Sequence, residues 1–296
     1  MNLKTWFLET RPQFLLLSVV LAFLGTAMAF SNNTFYLGYA LLAFLGLLLC
    51  HISVNVLNDY HDFKSGIDLK TKRTPFSGGS GILPAGSLQP KHVFWFGLIC
   101  LLLAIPLGVY FVMVRGLLLL PLLIIGALCT LLYTPLITRV GWPEWAPGIA
   151  MGFLPVLGAY FVQTTAYPFA IIVACIPSGI LVHNLLLLNE FPDVAADKGA
   201  GRKTLPIVIG RKKASIVYSV LTIVVYLWII GAVAAQLMPI YALLALLTLP
   251  LAVKAIRGAL NYQDESKLIP AMGSNVQVVL LTQLLLGIGY LLAGIF

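Results

Sequence analysis

Residues 35–57 read FYLGYALLAFLGLLLCHISVNVL and contain no acidic or basic side chain apart from a single histidine. At about 1.5 Å of rise per residue, a helix of this length crosses the roughly 30 Å hydrocarbon core of a bilayer. Only 9% of the 296 residues are charged and 60% are hydrophobic, whereas soluble domains carry roughly 25% charged residues. We therefore predict an all-α integral membrane protein with a single transmembrane domain over residues 1–296.

Similar apolar runs recur along the chain and predict nine transmembrane helices. They lie near residues 14–30, 35–57, 92–114, 116–134, 145–163, 168–190, 215–236, 238–256 and 275–295. The N-terminal run lacks a small-residue cleavage site of the kind that ends a signal peptide, so the first helix is expected to stay.

Basic residues are concentrated in alternate connections between these runs. All but one of the 18 Lys and Arg residues fall on one side, and only Arg115 falls on the other. By the positive-inside rule, the N-terminus and the long loops are predicted to be cytoplasmic and the C-terminus external. The net charge of +8 is thus explained by orientation in a membrane, expected to be a bacterial or archaeal cell membrane, and not by nucleic-acid binding.

Two clusters of acidic residues close the second and sixth predicted spans. Residues 55–68 read NVLNDYHDFKSGID, and residues 189–204 read NEFPDVAADKGAGRKT. An even number of predicted helices separates the clusters, so both are expected on the same membrane face. Carboxylates at the end of an apolar span are costly unless they are paired or coordinated, so they indicate a functional site.

The spacing within the first cluster predicts how its side chains are arranged. Asn58 and Asp62 are one helical turn apart and should project from the same face. Gly66 is expected to end the helix, which would leave Asp68 free to turn back toward the other acids.

The second cluster has a longer pattern of the same kind. Asn189, Asp193 and Asp197 follow an i, i+4, i+8 spacing that would align three oxygen-bearing side chains along one helix. Pro192 opposes this arrangement, because it removes a backbone donor and disfavours helix at the preceding residue. The helix is therefore expected to kink or restart at this point.

Carboxylate and amide oxygens of this kind suit Mg²⁺, which commonly joins one or two carboxylates to the phosphates of a substrate. Asn58 and Asp62 in the first motif, and Asn189, Asp193 and Asp197 in the second, carry oxygens of this kind. The basic residues that follow each motif would supply further positive charge for a diphosphate. They are Lys70, Lys72, Arg73, Arg202 and Lys203. The alternative is that the acids are solvated residues at the membrane surface.

The two motifs resemble the signature motifs of the UbiA superfamily of intramembrane prenyltransferases. The resemblance implies a nine-helix bundle with cytoplasmic cap loops, a prenyl diphosphate substrate, an aromatic acceptor and Mg²⁺, for which we expect two ions bridging the diphosphate. It also implies catalytic roles for a set of polar residues: Asn58, Asp62, Asp68, Asp193 and Asp197. Among these, the resemblance implies that the metal ligands are Asn58, Asp62, Asp193 and Asp197. Further candidates for diphosphate or acceptor contacts are Arg11, Tyr133, Arg139 and Asn189.

Within that superfamily, the first motif and the following SGGSGILPAG (residues 77–86) most resemble menaquinone-pathway members that act on 1,4-dihydroxy-2-naphthoate. Members acting on 4-hydroxybenzoate, homogentisate, haem, chlorophyllide or glycerol-phosphate lipids remain alternatives. The Gly-rich basic loops after both motifs are expected to act as lids that exclude water.

Two functions from other classes are also compatible with a polytopic membrane chain. A cation-coupled transporter would carry its acids near the middle of the membrane, whereas these acids lie at the ends of spans. A non-catalytic lipid-binding scaffold would tolerate loss of Asp62 or Asp193. Nothing in the sequence indicates an obligate protein partner.

Overall fold

The computed structural model describes residues 2–296, and this part of the chain contains helices and no strand. Three short segments, Leu117–Leu119, Ile137–Arg139 and Ile240–Thr248, are 3₁₀ helices, and Ile149–Phe153 forms a π-helical segment. The α-helices are α1 (Leu3–Glu9), α2 (Pro12–Ser31), α3 (Leu37–Ser65), α4 (Pro90–Arg115), α5 (Leu120–Leu132), α6 (Trp145–Gly148), α7 (Leu154–Thr164), α8 (Phe169–Asn189), α9 (Val194–Gly199), α10 (Leu205–Val208), α11 (Arg211–Ala234), α12 (Leu249–Leu260) and α13 (Glu265–Ile295).

Eight helical segments in the described chain are long and apolar enough to cross a membrane. They are Pro12–Ser31, Leu37–Ser65, Pro90–Arg115, Trp145–Thr164, Phe169–Asn189, Arg211–Ala234, Ile240–Leu260 and Glu265–Ile295. The predicted fourth span, 116–134, corresponds to the shorter apolar helix Leu117–Leu132. The helical membrane fold is thus confirmed, and a count of nine depends on this short segment.

Three predicted spans differ from the observed helices at their boundaries. α3 continues beyond residue 57 to Ser65, because the first acidic motif is itself helical. α13 begins at Glu265 instead of residue 275, where the Asp264 side chain accepts a hydrogen bond from the Ser266 N–H at 3.0 Å. Such a cap satisfies a backbone donor that the first helical turn leaves free. The span predicted over 238–256 begins as a 3₁₀ helix and becomes α-helical only at Leu249.

The interior of the bundle is apolar, and so is much of its outer surface. Leu21, Leu24, Met28, Ile229 and Leu286 are fully enclosed in one cluster that joins α2, α11 and α13. Large apolar side chains also face outward along the long helices, among them Leu41, Ile99 and Leu227. A protein surrounded by lipid tails can expose such side chains without the cost that they would have in water.

The two ends of the bundle differ in charge. The guanidinium of Arg115 donates a hydrogen bond to the carbonyl oxygen of Gln163 and lies over the rings of Tyr36 and Tyr39. Tyr36 and Tyr39 are at the start of α3, whereas the first acidic motif is at the end of this helix. The second acidic motif likewise begins at the end of α8. The prediction that Arg115 stands apart from the other basic residues therefore agrees with its position in the fold.

Candidate active site

The first motif lies on the last turns of one uninterrupted helix, α3. Gly66 ends this helix in the left-handed region, at a φ of 78°, and its N–H donates to the carbonyl oxygen of Phe63 at 3.1 Å. Glycine adopts this conformation without the steric cost that a Cβ atom imposes. The N–H of Ile67 then donates to the carbonyl oxygen of Asp62 at 3.0 Å. The predicted helix end at Gly66 is confirmed.

The second motif is divided between two helices. α8 ends at Asn189, the chain makes a turn through Pro192, and α9 begins at Val194 after Asp193 in the cap position. The structure shows the restart that Pro192 was expected to permit, so Asn189, Asp193 and Asp197 do not lie along one continuous helix. The helix restarts because proline lacks an N–H and restricts the residue before it.

Arg202 joins the two motifs. Its guanidinium donates to Asp197 Oδ1 at 2.9 Å and also contacts Asp62 Oδ1. Burial alone would lower the pKa of Arg202, but Asp62 and Asp197 raise it above its ordinary value. The prediction that the clusters share one face of the membrane bundle is therefore confirmed by a direct contact between them.

The Gly-rich loop after α3 contacts the first motif. The Ser80 N–H donates to Asp59 Oδ2 at 2.7 Å. Gly79 lies so close that a Cβ atom there would be 3.1 Å from Asp68 Oδ2. Only a glycine backbone fits in this space without displacing the acid.

Glu9 and Asp59 were not among the predicted site residues, yet the fold brings them to the site. Glu9 is fully buried at the end of α1, and its Oε2 accepts a hydrogen bond from the Ser80 hydroxyl at 2.8 Å. Asp59 is 2% exposed and lies 3.8 Å from Arg11 Nη1. Asp59 could have been identified from its position inside the first motif. Glu9 lies far from either motif along the chain and could not be identified in this way.

Glu144 is a third acid that the fold brings to the site. It is fully buried, and its Oε1 accepts a hydrogen bond from the Leu205 N–H at 2.6 Å. Glu190 lies beside it, and burial together with Glu144 raises the pKa of Glu190 well above its ordinary value. The charge of Glu144 within an apolar stretch was the signal that could have identified it.

Several predicted site residues line one cavity between the helices. Arg11, Asn58, Tyr133 and Asn189 border it together with apolar side chains of α2, α3, α5 and α8. The Asn58 side-chain amide donates to the Thr134 hydroxyl at 3.0 Å. The cavity thus has a polar end at the motifs and an apolar wall deeper in the bundle.

A second pocket lies on the other side of the Asp62–Arg202 contact. Its lining includes Asp62, Arg139 and Arg202, with His61 and Thr138. Arg139 is exposed and shares this pocket with Asp62, and its contact with a diphosphate or an acceptor stays a prediction.

The remaining predicted basic residues are not brought into contact with the acids of the motifs. Lys72 is exposed and pairs with Glu265 at 2.7 Å. Lys70, Arg73 and Lys203 are exposed and form no ion pair within the described chain. A role for these four residues in binding a diphosphate stays a prediction.

The electrostatics of the site favour a bound cation. Burial and the nearby Asp59 raise the pKa of Asp68 to about 7, and burial and Asp197 raise the pKa of Asp193 to about 7. Burial also raises the pKa of Asp197, although Arg202 opposes this shift. The ionised form of a carboxyl group with a raised pKa is stabilised when a positive charge binds beside it.

The enclosed oxygens without a hydrogen-bond partner include Asp59 Oδ1, Asn189 Oδ1 and Asp193 Oδ1. Within residues 2–296, no three His, Cys, Asp or Glu side chains lie close enough to form a metal site alone. Mg²⁺ commonly takes only one or two protein carboxylates and completes its shell with substrate phosphates and water. The residues present fit an ion of this kind.

The geometry agrees with what is known of related proteins. Residues 16–285 match the UbiA prenyltransferase family. The chain is 33% identical to the 1,4-dihydroxy-2-naphthoate octaprenyltransferase of Bacillus subtilis, over 96% of this chain and 91% of that protein. It is 26% identical to the Escherichia coli protein of the same name, over 98% and 96% of the two chains.

Solved structures share the fold at lower identity. A UbiA homologue from Archaeoglobus fulgidus, bound to GPP and Mg²⁺, has a TM-score of 0.64 at 14% identity, with 97% of this chain and 99% of that chain covered. Since the family match spans most of the sequence and both motifs, the chain belongs to the UbiA prenyltransferase family.

Proposed function

We propose that this enzyme transfers a prenyl chain from a prenyl diphosphate to 1,4-dihydroxy-2-naphthoate, a step in menaquinone synthesis. The observation that carries the proposal is the meeting of the two acidic motifs, Asp62 with Asp197, around the single guanidinium of Arg202. The names of the Bacillus subtilis and Escherichia coli relatives support the choice of acceptor. Other acceptors used in the family remain the alternative.

Two Mg²⁺ ions would be bound by Asn58, Asp62, Asp193 and Asp197. Asp68 would be an additional acidic residue at this site. Bound Mg²⁺ would neutralise the charge that develops on the leaving diphosphate as the allylic C–O bond breaks. Arg202 already lies between the carboxylates. Once a cation neutralises Asp62 and Asp197, its guanidinium would be free to bind diphosphate oxygens.

The other polar residues around the site would position the two substrates. Arg11, Tyr133 and Asn189 border the cavity and would contact the diphosphate or the acceptor. Arg139 would act from the second pocket. The exposed basic residues of the loops would add charge near the entrance, namely Lys70, Lys72, Arg73 and Lys203.

The chain would work as one transmembrane domain with the short apolar helix Leu117–Leu132 as its ninth span. Its N-terminus and site would face the cytoplasm and its C-terminus the outside, as the distribution of Lys and Arg predicts. The loop that contacts Asp59 would act as a lid that keeps water from the reacting prenyl group. The apolar prenyl tail would lie in the cavity and leave toward lipid.

Transfer of label from radiolabelled geranylgeranyl diphosphate to a panel of aromatic acids tests this function. We expect Mg²⁺-dependent product with 1,4-dihydroxy-2-naphthoate and a loss of orders of magnitude in Asp62→Ala and Asp193→Ala. Asp264→Asn, at an exposed helix cap, should retain activity. Undiminished turnover in EDTA would contradict the metal role, and product with a different acid would replace the proposed acceptor.

A further inference from the structure

His51 is a buried polar residue of α3 that the site described so far does not use. It lies two helical turns before Asn58 and borders the same cavity. Its Nδ1 is hydrogen-bonded to the Ser18 hydroxyl of α2 at 2.8 Å, and both residues are buried. The ring is therefore held in one orientation from a neighbouring helix.

The second ring nitrogen of His51 is free to bind a ligand. Nε2 has no hydrogen-bond partner in the described chain, and it is not among the polar atoms that the protein encloses completely. Since the side chain borders the cavity, this nitrogen faces the open space between the helices. The hydrogen bond between Nδ1 and the Ser18 hydroxyl fixes the orientation of the ring and therefore the direction in which Nε2 points.

The surroundings of His51 indicate which part of a substrate reaches it. Phe14, Leu17, Val54 and Met151 form the neighbouring cavity wall. A hydrocarbon tail would pack against these side chains but would leave Nε2 without a partner, which is costly in an apolar site. A ligand with an apolar ring and a hydroxyl group satisfies both the wall and the nitrogen.

The depth of His51 supports the same conclusion. Two turns of helix separate it from Asn58, which corresponds to about 10 Å along the axis. A diphosphate held by the acidic motifs would therefore lie too far away to contact His51 directly. A ring placed below the diphosphate would lie between the two residues.

We propose that His51 Nε2 forms a hydrogen bond with a ring hydroxyl of the aromatic acceptor and that Ser18 is its positioning residue. This inference rests on the proposed function and specifies how the acceptor is selected. His51 would contribute to acceptor binding and would leave diphosphate binding unchanged. Ser18 would act only through the orientation of the ring.

Steady-state kinetics of purified His51 variants, at saturating geranylgeranyl diphosphate, test this assignment. His51→Leu should raise the KM for the acceptor roughly tenfold, the value of one lost hydrogen bond to a ligand. His51→Gln, whose amide reaches a similar point, should recover most of the loss. Ser18→Ala should give a smaller increase that Ser18→Thr reverses. Ser53→Ala, on the same helix but away from the cavity, should match the wild type.

Binding of a non-hydrolysable prenyl thiolodiphosphate provides the second measurement. Its Kd should stay within about twofold of wild type in every variant, because this change lies within ordinary variation of a distant contact. An unchanged acceptor KM in His51→Leu, or an equal loss of thiolodiphosphate binding, would overturn the assignment.

The two proposals fail in different ways. A wild-type protein that ignores 1,4-dihydroxy-2-naphthoate contradicts the proposed acceptor, and the His51 variants are then measured with the hydroxylated aromatic acid that is prenylated. Prenyl transfer only to an acceptor without a hydroxyl group would overturn the role of His51.

Discussion

The two acidic motifs meet at one site, but different kinds of structure hold them. The first lies on an uninterrupted helix, where spacing along the chain fixes the relative positions of Asn58 and Asp62. The second is divided by Pro192 between α8 and α9, and Arg202, which follows it, pairs with Asp197 and reaches Asp62 of the first motif. Helix geometry thus arranges the first half of the site, whereas the ion pairs of Arg202 join the second half to it.

The negative charges of the two motifs are also stabilised in different ways. Asp59 accepts a backbone hydrogen bond from Ser80 and lies near Arg11, with Glu9 beside them. Asp197 is paired directly with Arg202, which also reaches across to Asp62. Asp197 therefore depends on a permanent cation, whereas the surroundings of Asp59 include Glu9, an acid that can hold a proton.

Replacement of Arg202 should give the largest effect on this arrangement. Arg202→Met leaves two buried carboxylates without a partner, and loss of one member of a buried pair costs about 3–5 kcal/mol. Arg202→Lys should recover part of this loss, since its single ammonium cannot reach both carboxylates as a guanidinium fork does. Thermal unfolding of the purified protein measures both changes.

Mg²⁺ makes the same experiment diagnostic. Added Mg²⁺ should restore part of the stability of Arg202→Met, because the ion replaces the missing positive charge, while Lys213→Met at an exposed position should respond like the wild type. If Arg202→Met unfolds at the wild-type temperature without Mg²⁺, the two motifs are not held together by this residue.

Replacement of Glu9 tests whether a bound proton reduces the negative charge around the first motif. Burial, with the nearby Asp59, raises the pKa of Glu9 from 4.5 to about 8. The folded protein thus keeps a proton that the unfolded chain releases, so stability should fall as the pH rises from about 4.5 to about 8. Glu9→Gln is always neutral and should lose less stability over this interval.

The measurement is the unfolding temperature of both proteins at pH 5 and pH 9, where we expect the wild type to fall by several degrees more than Glu9→Gln. Glu265→Gln, at an exposed position, should follow the wild type. Parallel curves for the wild type and Glu9→Gln would mean that Glu9 does not titrate differently in the folded state.

The contrast between the motifs also explains how far the sequence could predict the site. The helix through Asn58 and Asp62 and its end at Gly66 depend on neighbouring residues, so periodicity and glycine chemistry predicted them correctly. Apolar length likewise located eight long membrane helices. Apolar length did not predict that the fourth span is the short helix Leu117–Leu132 or that the segment Ile240–Leu260 begins as a 3₁₀ helix, because it does not specify the hydrogen-bond pattern.

The contacts that complete the site join residues far apart in the chain. Arg202 lies 140 positions from Asp62, and Ser80 lies 71 positions from Glu9. Periodicity describes only residues within a few turns of one another, so it could not show that these groups meet. The same limit concealed Glu144, whose partner is the backbone N–H of Leu205.

Gly66 tests the local half of the comparison. Gly66→Ala would place a Cβ atom in the left-handed region at a φ of 78°, at a cost of about 1–2 kcal/mol. No neighbouring atom would clash with this Cβ, so the loss would report backbone conformation alone. Gly126→Ala, inside α5 and also in open space, should be neutral or stabilising. Equal effects of the two changes on the unfolding temperature would show that the left-handed helix end has no special role.

Pro192 tests the other half, and here we expect the smallest effect on stability. Pro192→Ala should cost about 0.4–1 kcal/mol, because the unfolded chain gains freedom, and Pro168→Ala at the start of α8 should cost about the same.

The two variants should differ in activity. With Pro192 removed, α8 can extend toward α9 and move Asp193 and Asp197 away from Asp62, so more Mg²⁺ should be needed for half-maximal activity. Pro168→Ala should keep the wild-type Mg²⁺ requirement, since the opposite end of α8 does not position the acids. If both variants keep that requirement, Arg202 suffices to hold the second motif, and the break at Pro192 is a consequence of the fold and not a cause of the site.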